Sequence, residues 1–193
     1  MNYKELFRKT WLLISAPYKA WEEILYEKEE ESTNVQVGYV YPMIALCGVA
    51  DFFGTFFDKG IDNSNLHLML VGCCSIIVSL FGGFFLSVYL IENYGHRFAE
   101  RPLDERRKVM RLVGYSMSVL FVLGIFEGLF PSFLILKWIF QFYLVYLVWE
   151  GSKVLLQIPE ERLLSYTLVV SVIILLSPVL IGGVFEWISQ YVV

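Results

Sequence analysis

The sequence predicts an all-α polytopic membrane protein: five transmembrane helices preceded by an amphipathic segment that lies at the membrane interface. Three observations predict it. Of the 193 residues, 57% are hydrophobic and only 18% charged, with a mean hydropathy of +0.60, well above a soluble chain of this size. The apolar residues fall into runs long enough to cross a bilayer, for which about twenty residues suffice. Lys and Arg, finally, alternate between the two sides of those runs.

Residues 1–37 form the interfacial segment. On a helical wheel Tyr3, Leu6, Phe7, Trp11 and Ile14 share one face, opposite Lys4, Glu5, Arg8 and Lys9, with Leu12 out of pattern. Such a helix is expected on the cytoplasmic leaflet, as an interfacial anchor or as a partner-binding or membrane-sensing arm. Ser15 is placed to cap a second helix with Pro17 in its first turn, on which Trp21, Ile24 and Leu25 share a face above Glu22 and Glu23. The acidic run Glu27, Glu29, Glu30 and Glu31 reads as a solvated linker. No uninterrupted apolar core is found in the first fifteen residues, so no cleavable signal is expected.

Residues 38–193 form the membrane domain. Its spans are expected at 39–57, 66–91, 109–130, 133–149 and 163–188. Thirteen of the fifteen basic residues precede the first span or occupy the second and fourth connections, and only Lys59 and Lys137 lie on the opposite side. The positive-inside rule then makes the N-terminus cytoplasmic and the C-terminus external. Trp138, Trp149 and Trp187 stand at span ends, where an amphipathic ring suits the headgroup region. Cys47, Cys73 and Cys74 fall inside spans and read as packing residues rather than a disulfide framework.

Ser15-Ala16-Pro17-Tyr18-Lys19-Ala20-Trp21-Glu22-Glu23-Ile24, followed by five spans with a basic second connection, resembles the start of bacterial members of the Yip1 family. Tyr146-Leu147-Val148-Trp149-Glu150-Gly151 and the later Ile158-Pro159 resemble that family's exit from the fourth span. The resemblance implies a five-helix membrane domain with a cytoplasmic N-terminus, in a bacterial inner membrane. Eukaryotic members are linked to vesicle trafficking and Rab-type GTPases. This chain carries neither their Asp-Leu-Tyr-Gly-Pro motif nor a long cytoplasmic N-terminal domain, so a Rab partner is not carried over.

Two constellations within the spans are candidates for function. Ser75, Ser79, Gly83 and Ser87 recur every four residues on the second span, a ridge of small side chains suited to close helix packing within the chain or between two copies. Gly114 with Ser118, and Gly124 with Gly128, repeat that spacing on the third span; Pro178 with Gly182 and Gly183 should bend the fifth. Asp51 lies about 9 Å inside the outer end of the first span, and the derived topology puts His67, Glu127, Lys137 and Glu186 in the same outer half. Together they would form an ion-paired structural network, or a cation or proton site. One His among scattered acids lacks zinc-ligand spacing, so neither metal nor cofactor is expected. The cytoplasmic groups Glu92, His96 and Glu150 read as solvated helix ends. The bases between Arg97 and Arg111 could hold anionic headgroups, against the opposing charge of Glu100, Asp104 and Glu105.

Enzyme signatures are missing from the sequence: it holds no Gly-x-Ser-x-Gly elbow, no His-Glu-x-x-His pair and no phosphate-binding glycine loop. A net charge of -4 with acids mixed among the bases argues against a nucleic-acid partner. The expectation is therefore a non-enzymatic membrane-organising or interaction protein. Its partners would be the bilayer and a membrane protein or a second copy. The alternative is a small transporter or channel using Asp51.

Overall fold

The computed structural model describes residues 3–26, 35–60, 63–95, 106–130 and 139–192. All regular structure among them is helical. Two short helices, α1 (Tyr3–Ser15) and α2 (Pro17–Tyr26), come first. A π-helical turn, Gln36–Val40, leads into α3 (Tyr41–Lys59), and α4 (Asn63–Gly95) follows. Next come α5 (Arg106–Ser116), α6 (Ser118–Leu129), α7 (Tyr143–Val154) and α8 (Glu160–Val192).

Among the described residues four stretches are long and apolar enough to cross a membrane: Gln36–Asp58, Leu66–Tyr94, Arg106–Leu129 and Glu160–Ser189, of 23, 29, 24 and 30 residues. The expected fourth span, 133–149, falls in part on residues 131–138, outside the described residues; its remainder is the short helical stretch 139–141, a turn at Phe142 and the start of α7.

Burial is arranged the way a lipid-facing bundle requires. On α8 the large aliphatic residues Leu168, Val172, Leu176, Val179 and Leu180 are exposed, while Thr167, Ser171 and Ser177 are buried. Water would penalise that inversion; hydrocarbon accepts the aliphatics, and small hydroxyls inside let helices approach. In the bundle α4 packs along α3 and α8, α6 along α3, and α7 along α8 and α5.

The helix ends follow from local chemistry. Gly60 closes α3 at φ 72°, where its N–H bonds Phe56 O. A five-residue turn joins α7 to α8 through Gln157 at φ 52° and the bond from Ile158 N–H to Ser152 O. Glu160 and Glu161 in the first turn of α8 complement its dipole. The third span, expected unbroken, is interrupted at Met117, where ψ is -6° and the Ser118 hydroxyl takes the Tyr115 carbonyl. The bonds Met117 N–H to Val113 O and Phe121 N–H to Met117 O carry the rod across the break.

Candidate functional site

Asp51 sits where three helices meet. Its Oδ2 lies 2.7 Å from where a Cβ on Gly72 of α4 would be, and the corresponding point on Gly128 of α6 is 2.7 Å from the Asp51 backbone nitrogen. Glycine at 72 leaves room for the carboxylate, and glycine at 128 lets the backbones of α3 and α6 approach. Oδ2 is buried and has no hydrogen-bond partner among the described residues. Glu127, next to Gly128, is within electrostatic reach of Asp51. His67 and Glu186 are exposed on α4 and α8, and neither shares a hydrogen bond or ion pair with Asp51. Lys137 lies outside the described residues. Of the candidate cluster, then, the structure brings Asp51 and Glu127 together. Among the described residues no group of three or more His, Cys, Asp or Glu is placed to hold a metal ion.

The small-residue ridge of α4 meets α8. A Cβ on Gly83 would fall 2.6–2.7 Å from the Pro178 ring, Cα and nitrogen, and the Ser79 hydroxyl donates to Pro178 O. Ser87 is fully buried and Ser75 half-buried. Proline removes its own amide from the ladder of α8; the Ser79 hydroxyl makes a separate bond across the seam, to the Pro178 carbonyl. The α3–α6 crossing is tighter still: a Cβ on Gly54 would collide with Gly128 O. Nearby, Cys47 donates to Phe121 O at 3.2 Å, and all three cysteines are free.

The N-terminal arm is built into the bundle. Leu6, Thr10 and Leu13 of α1 and Ala20, Trp21 and Ile24 of α2 are buried. Trp21, fully buried, donates from Nε1 to Leu147 O at 3.1 Å and stands edge-on to Tyr115 at 6.2 Å. Its ring occupies the space that a side chain on Gly151 would fill. The Tyr143 hydroxyl donates to Ile14 O at 2.7 Å. A row of buried hydroxyls adds a third link: Thr10 Oγ1 is 2.9 Å from Tyr39 OH, which is 2.6 Å from Ser118 Oγ. The row's outer members also reach the Leu6 and Tyr115 carbonyls. Tyr39 belongs to the π-helical turn, where Tyr41 N–H bonds Gln36 O; the wider turn changes where its side chain points.

Two expectations about the arm are corrected. The single apolar face of α1 divides: Leu6 and Leu13 pack inward beside Thr10, while Tyr3, Phe7 and Trp11 remain 65%, 56% and 72% exposed. Ser15 bonds back to Trp11 O within α1 instead of capping α2. Sequence reasoning missed the roles of Tyr39 and Tyr143, and read Ser118 as a packing residue only. The signal available was a lone Thr10 on an otherwise apolar face.

At the surface of the arm, Arg8 pairs with Glu23 through both guanidinium nitrogens, linking α1 to α2. That hydrogen bond holds the Glu23 carboxyl below its usual range. Farther along, Arg106 at the start of α5 lies 3.4 Å from Glu92 near the end of α4. Glu92, expected to be a solvated helix end, is thus ion-paired and mostly buried.

The Yip1 domain family model matches residues 11–190, nearly the whole chain. Comparison with curated proteins and with solved structures returned no match. By the extent of the family match, the chain belongs to the Yip1 family.

Proposed function

We propose that this Yip1-family chain is a five-span, non-enzymatic membrane protein with a membrane-organising or protein-interaction role, whose working part is the N-terminal arm. Its N-terminus is cytoplasmic and its C-terminus external in a bacterial inner membrane. The distribution of Lys and Arg supports that orientation, and the apolar run 133–149 supports the additional span. The observation that carries the reading is the arm: buried hydrogen bonds fix it to the bundle while its other face stays exposed. An element held so firmly presents its exposed face in one orientation, as a recognition or organising surface requires.

A second reading, a small ion-conducting or transporting protein, is favoured by one feature: the unpartnered Asp51 oxygen buried between α3 and α4 with Glu127 close by. A carboxylate in such surroundings must be paired, hydrated or protonated.

Two experiments separate the readings. With cysteines introduced in a Cys-free background, Ser64→Cys and Val193→Cys should react with an impermeant thiol reagent in intact cells, and Glu30→Cys should not. Photo-reactive side chains at Tyr18 and Tyr26, both exposed, should then form discrete adducts with a membrane protein or a second copy in native membranes. Failure of both positions, together with a cation or proton flux in proteoliposomes that Asp51→Asn abolishes, would replace the first reading by the second.

A further inference from the structure

We infer that α1 and α2 form a wedge inserted into one leaflet of the bilayer, and that its outer face takes the acyl chains of that leaflet as its partner. The inference rests on the orientation proposed above.

The two helices fold back on each other about Ser15-Ala16-Pro17. Arg8 and Glu23 stand eight and seven residues from Ala16, about 10–12 Å along each leg, and their side chains pair, so the legs cannot diverge widely. The apex faces into the bundle. Ile14 O accepts from Tyr143, which lies six residues, about 9 Å, inward of Trp149 at the cytoplasmic end of the fourth span. From there α2 descends beside α7, since Trp21 engages Leu147 and the Gly151 notch in turn. A thirteen-residue helix is too short to cross a bilayer, but it can enter a leaflet.

Charge follows the same depth profile. The nine residues from Thr10 to Tyr18 carry none, and on either side of them charge begins with Lys9 and Lys19. Lys9 pairs with Glu5 and Lys19 is exposed, so a hairpin whose uncharged apex lies in hydrocarbon and whose second leg meets anionic headgroups at Lys19 has this pattern. The backbone agrees. Pro17 has no N–H to offer α1, and the Tyr143 hydroxyl bonds the Ile14 carbonyl beside the break, as a helix end away from water requires. On the outside of α1, Tyr3, Phe7 and Trp11 form an exposed row at four-residue spacing; Phe142, the cap before α7, and Tyr146 on α7, exposed by 75% and 46%, flank Tyr143. The aromatic row therefore continues the lipid-facing surface of the spans.

Two extra helices in one leaflet widen the molecule on the cytoplasmic side alone, so the protein should favour membrane that is convex on that side. Full-length protein keeping Trp21 as its sole tryptophan, and a second form keeping both Trp11 and Trp21, are reconstituted in phosphatidylethanolamine–phosphatidylglycerol vesicles, so that the difference in emission reports Trp11 while the arm stays docked. Lipids carrying a nitroxide on the acyl chain should quench Trp11 several-fold more than aqueous acrylamide does, and should leave buried Trp21 almost untouched. In tubes drawn from giant vesicles, copies with the arm on the convex side should be denser than on the flat membrane, an enrichment lost in the double variant Phe7→Lys, Trp11→Lys, which changes exposed positions only. Trp11 quenched by acrylamide and not by the acyl-chain label, or equal density in tube and flat membrane, would overturn the wedge. Partner adducts at Tyr18 and Tyr26 are read in a separate experiment, so either claim can fail alone.

Discussion

The junction of the arm with the bundle and the seam between α4 and α8 face the same difficulty, because lipid gives helices no hydrophobic reason to associate. They meet it with opposite materials. At the seam, side chains are removed: Gly83 lies against the Pro178 backbone and Gly82 against Ile181. At the junction, large side chains with polar tips are inserted: Trp21 reaches Leu147 O, Tyr143 reaches Ile14 O, and Tyr39 joins Thr10 to Ser118. Close packing along a straight ridge works for two long, regular helices. It cannot serve a hairpin whose break leaves carbonyls in need of donors, and there the aromatic hydroxyls and the indole supply both contact and hydrogen bonds.

If that contrast is right, the junction should be most sensitive to loss of volume and the seam to gain. Trp21→Ala removes a buried ring and its bond and should destabilise the protein by about 3–5 kcal/mol, read as a lowered unfolding midpoint in detergent; a shift no larger than that of an exposed-site control such as Leu168→Ile would place the arm outside the folded core. Gly83→Leu, at the seam, should lower stability by about 1–3 kcal/mol, because the neighbour it strikes is backbone that cannot rotate away. Gly183→Leu, where nothing lies within 4 Å of the added Cβ, should by comparison be nearly silent. Equal midpoints for the two glycine variants would remove the seam from the account.

Tyr39→Phe should have a smaller effect. Three hydroxyl protons serve the four contacts of the Thr10–Tyr39–Ser118 row, and after the change Thr10 and Ser118 keep the Leu6 and Tyr115 carbonyls. The net loss is one bond, about 0.5–1.5 kcal/mol, and a loss as large as that of Trp21→Ala would mean that the row does more than dock α1. The smallest effect is expected at the Arg8–Glu23 pair, which is largely exposed and worth less than about 1 kcal/mol. Because Arg8 lowers the Glu23 carboxyl below its unfolded value, the contribution is present above the ordinary carboxylate range and lost as pH falls through the folded value. Protease cleavage within the arm should rise over that acidic window in wild type, and Glu23→Gln should remove the response attributable to this group.

The elements most legible in the sequence were those governed by one rule. Length and hydropathy marked 39–57, 66–91, 109–130 and 163–188, each of which overlaps a helix long and apolar enough to span. What escaped was decided by neighbours. The division of α1 into a buried and an exposed apolar face could not be read, since protein interior and lipid accept Leu and Phe alike. Nor could the roles of Tyr39 and Tyr143, which depend on bonds between residues as far as 129 apart, while the π-helical turn at Gln36–Val40 and the break at Met117 are local departures that hydropathy does not register. The outer acids were each visible as costly residues within spans, but that Asp51 sits between Gly72 and Gly128 is a property of the helix crossing rather than of any one segment.

That the arm is an integral part of the membrane bundle is tested most directly by cross-linking across its hydroxyl row. Thr10 Oγ1 and Ser118 Oγ each lie within 2.9 Å of the Tyr39 hydroxyl, so Thr10→Cys with Ser118→Cys, in an otherwise Cys-free chain in native membranes, should be joined by a short bifunctional thiol reagent. The efficiency should match that of Ser79→Cys with Gly182→Cys across the α4–α8 seam. Linkage at the seam with none between α1 and α6 would contradict the account and leave the arm as a separate appendage.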